Sequence, residues 1–172
     1  ANSFSITGGF FAPLNTVLNG GTLDVSAAGV AVFPNSLRVA GGVLNLGTLD
    51  AVDQGVLTQT GGTITGDTRL RVIDGASFSG GTLGGGSAML VQLSGVSNIS
   101  GTFTDDATLE NDQWLNWSSG DIMLRAGGAL QNNGIMYITA DRRIEAGTGA
   151  AQLGNSVNGV IAVYAGAGET DI

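Results

Sequence analysis

"GGTLGGGSAML", residues 80–90, has five glycines among its first seven residues and ends on two apolar side chains. Gly in a helix interior costs about 1 kcal/mol per position, so this stretch disfavours a helix. Gly also allows corners with positive φ, or with close backbone approach, at no steric cost. The stretch therefore predicts a chain that turns sharply and often, with Leu83 as a core residue between corners.

The composition of the chain limits the chemistry that it can perform. Its 172 residues include 30 Gly, and its net charge is −8. The six basic residues are all Arg, and Lys, His and Cys are absent. Nucleic-acid binding is disfavoured because phosphate contacts need clustered cations. Disulfides, thiolate nucleophiles, the Ser-His-Asp triad and imidazole or thiolate metal ligands are excluded for want of Cys or His.

Apolar residues recur at intervals of roughly 20 residues, in step with the glycine corners, which is typical of a repeat architecture. The first column consists of Leu23, Leu44, Ile64, Leu83, Phe103 and Ile122. The second consists of Val30, Leu49, Leu70, Leu90, Leu109 and Leu130. The third consists of Leu37, Val56, Ala76, Val96, Leu115 and Ile135.

Three columns per repeat predict three short strands per turn of chain. If each strand pairs in parallel with its equivalent one turn on, the columns become inward ladders spaced about 4.8 Å apart. We therefore predict an all-β fold, a parallel β-helix (β-solenoid) with about 20 residues per coil. The scheme places Leu70 inside and Thr68 outside. Leu70→Asp is therefore expected to unfold the domain, whereas Thr68→Asp is expected to be tolerated.

The regularity of the repeat divides the chain into three parts. Residues 20–140 are expected to form the regular coils. Residues 1–19 fit the repeat loosely and are expected to form an irregular first coil or an N-terminal cap. Residues 141–172 have longer spacings and are expected to form irregular last coils, truncated from a longer stack.

The corners "GGTL", "GGVL" and "GGTI" and the run "WLNWSSGDIMLRAGGALQNNGIMYIT", residues 114–139, carry a family resemblance. Over about residues 20–140 the chain resembles bacterial surface β-helix proteins, namely passenger segments of autotransporters and filamentous-haemagglutinin-like adhesins. The resemblance implies a right-handed parallel β-helix, export across a bacterial envelope to a secreted or cell-surface location, and a role in adhesion or display.

The stretch "DDATLENDQWLNW", residues 105–117, is the candidate site, because glycosidases combine paired carboxylates with rings that stack on sugar. The candidate catalytic carboxylates are Asp105, Asp106, Glu110 and Asp112. The candidate ligand-binding aromatics are Trp114 and Trp117. The favoured interpretation is structural: Asp105 and Asp106 form a corner in place of Gly, and the tryptophans pack; catalysis is the alternative.

No metal or cofactor is expected, since "GGTLGGGSA" lacks the Asp of the calcium-binding nonapeptide repeat. The favoured function is a non-catalytic structural or adhesive segment of an exported bacterial surface protein, which gives a stiff rod for display or multivalent binding. Its expected partner is a host or environmental glycan or a surface protein, with no nucleic acid, no membrane insertion, and end-to-end continuation in a longer chain. The alternatives are a polysaccharide-degrading enzyme or phage tailspike fragment, and an inert spacer.

Overall fold

The computed structural model describes residues 2–12, 14–49, 52–84, 89–139, 141–147 and 149–164. Within these ranges the chain is all-β, with no helix, and its parallel strands stack in about seven turns of roughly 20 residues. The predicted β-solenoid is confirmed. No helix in the described part of the chain is long and apolar enough to cross a membrane.

The described residues form fifteen strands, of which the second to the fourth continue around corners without interruption. Their bounds are β1 Ser3–Phe11, β2 Asn15–Asn45, β3 Val52–Thr65, β4 Arg69–Leu83, β5 Leu90–Leu93, β6 Ser97–Ser100, β7 Phe103–Asp105, β8 Thr108–Asn111, β9 Trp114–Ser119, β10 Ile122–Leu124, β11 Ala129–Asn132, β12 Ile135–Ile138, β13 Ile144–Ala146, β14 Gln152–Asn155 and β15 Val160–Val163.

Each strand pairs in parallel with its equivalent one turn along the chain. The clearest ladder joins consecutive partners across six turns, and its members are Val52, Leu70, Val91, Leu109, Leu130 and Leu153. The first five are fully buried. One turn cannot bury its own apolar face, so the core depends on the stacking of neighbours.

The predicted second and third columns are wrong by one residue at several turns. The inward position next to Leu70 is Val91 rather than Leu90, and the half-exposed Val56 and Val96 lie outside. The third column instead contains Leu37, Leu57, Ala76, Ser97, Leu115 and Met136. Side chains alternate between the two faces of a strand. A shift of one residue therefore turns every outward residue of that strand inward and every inward residue outward.

The first column is displaced by two residues at one turn. Leu83 pairs with Asp105, whereas Phe103 pairs with Ile122 on the following turn. Phe103 still faces inward, because a two-residue displacement keeps the same face. Its ring stacks on Phe78 at a centroid distance of 5.2 Å.

Glycine corners explain the composition of the chain. Gly62 has φ +68°, and a Cβ there would lie 2.7 Å from the carbonyl oxygen of Gly42, its equivalent one turn earlier. A side chain at this position would therefore be strained twice, by the left-handed backbone and by contact with the turn below. At this corner successive turns approach one another too closely for any residue except Gly.

The two ends of the described chain are less buried than its middle. β1 pairs in parallel with β2 through two register shifts, and Phe4 and Phe11 on β1 are exposed. Strands β13 to β15 also pair in parallel, with half-buried and exposed positions only. The division into 1–19, 20–140 and 141–172 stays a prediction.

Thr68 was expected to face solvent, and this prediction is wrong. The side chain is buried, and its Oγ1 donates a hydrogen bond to the carbonyl oxygen of Leu49 one turn earlier. An Asp at this position would place a carboxylate against a carbonyl oxygen in a buried corner, so Thr68→Asp is now expected to destabilise the fold.

Leu70→Ala tests the ladder. Leu70 is fully buried between Val52 and Val91, and a cavity there should lower the free energy of unfolding by about 2–5 kcal/mol. The matched control is Arg69→Ala, one residue away on the outer face, which should change it by less than about 0.5 kcal/mol. Urea denaturation followed by circular dichroism measures both, and equal midpoints would contradict the inward assignment.

Candidate functional site

Asp105 lies inside the solenoid, so the hypothesis of a carboxylate on the outer face is wrong for this residue. It is fully buried at the end of β7, where its parallel partners are Leu83 and Leu124. Its Oδ1 accepts a hydrogen bond from the backbone N–H of Ala107 at 3.0 Å. The side chain thus shapes the corner that follows it, as the structural interpretation expected.

Burial perturbs the protonation of Asp105. Desolvation raises its pKa to about 8; the Ala107 N–H bond opposes this increase, and the nearby charge of Asp106 adds to it. Its Oδ2 has no hydrogen-bond partner among the described residues. At neutral pH this carboxyl is therefore mostly protonated, and no substrate can reach it from the outer surface.

The folded and unfolded states differ in the proton affinity of Asp105, which makes stability depend on pH. The folded pKa is raised, so between about pH 4 and pH 8 the folded state binds more protons than the unfolded state. The free energy of unfolding should therefore fall as pH rises through this window, with a contribution of up to about 1.4 kcal/mol per pH unit.

Asp105→Asn should remove this slope, because Asn keeps an oxygen for the Ala107 N–H and does not ionise. The control is Asp67→Asn at an exposed carboxylate, which should leave the slope in place. Urea titrations at several pH values between about 5 and 8 provide the measurement. A slope of the same size in Asp105→Asn and in the wild type would refute the assignment.

Asp106, the residue after Asp105, has a buried Oδ1 without a hydrogen-bond partner among the described residues. It is half-buried, and its backbone N–H donates to the carbonyl oxygen of Leu83. A Cβ on Gly84 would lie 2.5 Å from the Cβ of Asp106, so the absence of a side chain at Gly84 makes room for Asp106. The two adjacent aspartates therefore do not form a catalytic pair on one surface.

Glu110 and Asp112 lie on the outer side of the solenoid, where the chain passes from β8 to β9. Asn133, one turn on, donates through Nδ2 to Glu110 Oε1 at 2.8 Å and to Asp112 Oδ1 at 3.0 Å. Gln92, one turn back, donates through Nε2 to Asp112 Oδ2 at 2.7 Å. The two carboxylates are thus brought together, and amide groups of the turn before and the turn after form one polar cluster with them.

An asparagine ladder runs along the same corner, with Asn111 and Asn132 buried and Asn155 exposed. Asn111 Nδ2 donates to Asn132 Oδ1 at 2.7 Å, and Asn132 Nδ2 donates to Asn155 Oδ1 at 2.8 Å. Asn132 Nδ2 also contacts the carbonyl oxygens of Gly134 and Val160. Sequence reasoning missed this ladder, although Asn at positions separated by 21 and 23 residues was a visible signal.

The ladder fixes the corner from which β9, β12 and β15 begin. Each buried amide donates to backbone carbonyl groups of the corner, and a buried polar group left without a partner costs about 1–3 kcal/mol. The outer faces of these three strands are consequently held in register.

Asn132→Ala should lower the free energy of unfolding by about 3 kcal/mol, because the Asn111 amide and two carbonyl groups lose a partner. Gln152→Ala is the control, since Gln152 is an exposed amide on the neighbouring turn. Thermal and urea denaturation measure both variants, and a loss no greater than the control's would show that the ladder contributes little.

The two tryptophans of the candidate site point in opposite directions. Trp117 is fully buried and donates from Nε1 to the carbonyl oxygen of Gly120 at 2.8 Å. Trp117 is therefore part of the core and is not accessible to a ligand. Trp114, three residues earlier, is 47% exposed.

Trp114 begins a row of aromatic rings that crosses three turns, here called the aromatic row, which consists of Trp114, Tyr137 and Tyr164. The Trp114 and Tyr137 ring centroids are 5.6 Å apart with an interplanar angle of 64°. The Tyr137 and Tyr164 centroids are also 5.6 Å apart, at 34°. Tyr164 is 57% exposed and Tyr137 is half-buried.

The aromatic row runs diagonally across the strands, which is why the repeat in the sequence did not reveal it. Trp114 pairs with Ile135, whereas Tyr137 pairs with Asn116 and with Ala162. Each ring is thus displaced by two residues from the strand position of the previous one. The even step keeps all three on the outer face.

Among the described residues, no group of three or more Asp, Glu, His or Cys side chains is arranged to hold a metal ion. Comparison with known proteins gives no match to any family model, to any curated protein or to any solved structure.

Proposed function

We propose that this chain is a non-catalytic structural or adhesive β-solenoid rod of an exported bacterial surface protein, which displays its outer face for multivalent binding. The observation that carries the proposal is the unbroken parallel ladder, in which each turn is hydrogen-bonded to the turns before and after it. With each turn adding about 4.8 Å, seven turns make a rod of about 34 Å.

The positions of the carboxylates support a role without catalysis. Asp105 is inside the core, and both Glu110 and Asp112 accept hydrogen bonds from amides. A general acid in glycoside hydrolysis must present a proton to the scissile oxygen. Side chains that serve as hydrogen-bond acceptors between turns are better suited to stiffening the rod.

The regular stacking of turns also suits repeated display. Equivalent outward positions recur with every turn, and weak contacts on successive turns combine through avidity. The surface location belongs to the proposal because of the resemblance of the glycine corners and the 114–139 run to bacterial surface β-helix proteins.

Polysaccharide incubation separates the rod from an enzyme. We expect the wild type to release no reducing ends or unsaturated products from a panel of neutral and acidic polysaccharides. The variants Glu110→Gln and Asp112→Asn should behave identically. Turnover by the wild type that either variant abolishes would overturn the proposal.

Beads coated with the protein separate an adhesive rod from an inert spacer. Retention on immobilised polysaccharide or extracellular-matrix protein should rise more steeply than in proportion to coating density, because several rods then engage at once. Beads that are not retained on either surface at any density would favour the spacer.

The position of two carboxylates favours the alternative function, that of a polysaccharide-degrading enzyme. Glu110 and Asp112 both lie within hydrogen-bond distance of Asn133 Nδ2. Asp112 is two residues before the exposed Trp114 in the chain. A close carboxylate pair beside an aromatic ring is the arrangement of a polysaccharide-degrading enzyme or phage tailspike, and the same incubation tests it.

A further inference from the structure

We propose that the aromatic row formed by Trp114, Tyr137 and Tyr164 is a binding platform for a neutral polysaccharide that lies across three successive turns. This inference deepens the proposed display function by naming the class of ligand and the surface that binds it. It differs from the sequence hypothesis, which paired Trp114 with Trp117.

The spacing of the rings is the first argument. Both centroid distances are 5.6 Å, which is close to the length of one hexopyranose unit in an extended glycan. Successive turns lie about 5 Å apart, and the two-residue displacement on each turn makes the row run diagonally across the strands. A glycan running along the row can therefore place successive sugars near successive rings.

The chemistry around the rings is the second argument. Aromatic faces carry partial negative charge and attract the C–H groups on the apolar face of a pyranose. Asn116, the parallel partner of Tyr137, donates through Nδ2 to Asn98 Oδ1 at 3.2 Å on the outer surface. These amides lie beside the row, where they can bind sugar hydroxyl groups.

Apolar neighbours widen the platform. Ile135 and Val160 follow Trp114 at the same strand position on the next two turns, and Val160 is exposed. Isolated apolar side chains on a surface are ordinary, but a contiguous apolar and aromatic strip indicates a binding surface. Rings and branched side chains bordered by amides suit a ligand that has both apolar faces and hydroxyl groups.

Charge favours a neutral glycan over an acidic one. Glu110 and Asp112 lie at the end of the platform next to Trp114, and the whole chain carries a net charge of −8. A polymer of uronic acids would be repelled by this surface, so a neutral polymer is the expected occupant.

Affinity electrophoresis is the first test. Gels containing hydroxyethylcellulose, xylan, galactomannan, laminarin or dextran are compared with gels containing polygalacturonate. We expect at least one neutral polymer to retard the wild type and polygalacturonate not to do so. Retardation by polygalacturonate alone, or by none of the polymers, would overturn the proposal.

Variants of the row locate the binding surface. Trp114→Ala and Tyr137→Ala should each weaken binding to the retarding polymer about tenfold, and Trp114→Phe, which keeps a ring, should weaken it less. The matched control is Phe11→Ala, an exposed ring on β1, which should leave binding unchanged. Equal binding by the wild type and both Ala variants would contradict the proposal.

Tryptophan fluorescence gives an independent readout, because only one of the two tryptophans is exposed. Oligosaccharides of the retarding polymer should shift the emission of the wild type, and the shift should be lost in Trp114→Phe while the buried Trp117 still emits. A shift that persists in Trp114→Phe would place the ligand elsewhere.

The remaining outcomes separate this inference from the rod itself. If the row variants change sedimentation from dimer to monomer without affecting polysaccharide retardation, the row is a self-association surface and the glycan inference fails. The rod proposal fails only if the wild type releases products from polysaccharide or its beads adhere to neither surface. Unchanged thermal unfolding of the row variants shows that the fold is intact in either case.

Discussion

The fold depends on the parallel register between one turn of chain and the next. Each strand is stabilised by backbone hydrogen bonds to its equivalents in the turns on either side, and inward side chains of successive turns stack into a single core. Because each turn is stabilised mainly by its neighbours, stability is a property of the stack. The corners must approach one another closely for this register to hold, which explains why Gly62 lies directly over Gly42.

The same register brings polar side chains into the interior, where their effects differ. The buried Asn111 and Asn132 form a ladder that continues to the exposed Asn155, and their amides also donate to the corner carbonyl groups. Asp105 occupies an inward position without such a partner for Oδ2, and burial raises its pKa to about 8. The asparagines therefore stabilise the stack at every pH, whereas the aspartate makes it weaker as the pH rises.

On the outer face, the register determines which residues of distant sequence position become neighbours. Glu110, Asp112 and Asn133 form one polar cluster, and Trp114, Tyr137 and Tyr164 form one aromatic row. The cluster stiffens the junction between turns, and the row offers rings at a spacing set by the strands. The proposed display of a glycan-binding surface follows from these two features together, since a rigid scaffold preorganises weak contacts.

The sequence by itself determined the class of the fold, because Gly corners and apolar residues recur every 20 residues or so, and it located the segment around residues 105–117 as chemically unusual. It did not determine which face each side chain occupies. Val56 and Val96 lie on the outer face, one residue before the inward positions of Leu57 and Ser97, and the two-residue displacement at Leu83 places Asp105 inward. Only the tertiary structure separated Trp117 from Trp114 and joined Trp114 to the two tyrosines. The physical reason is that alternation within a strand is local, whereas register between turns is set by hydrogen bonds and packing between residues about 20 positions apart.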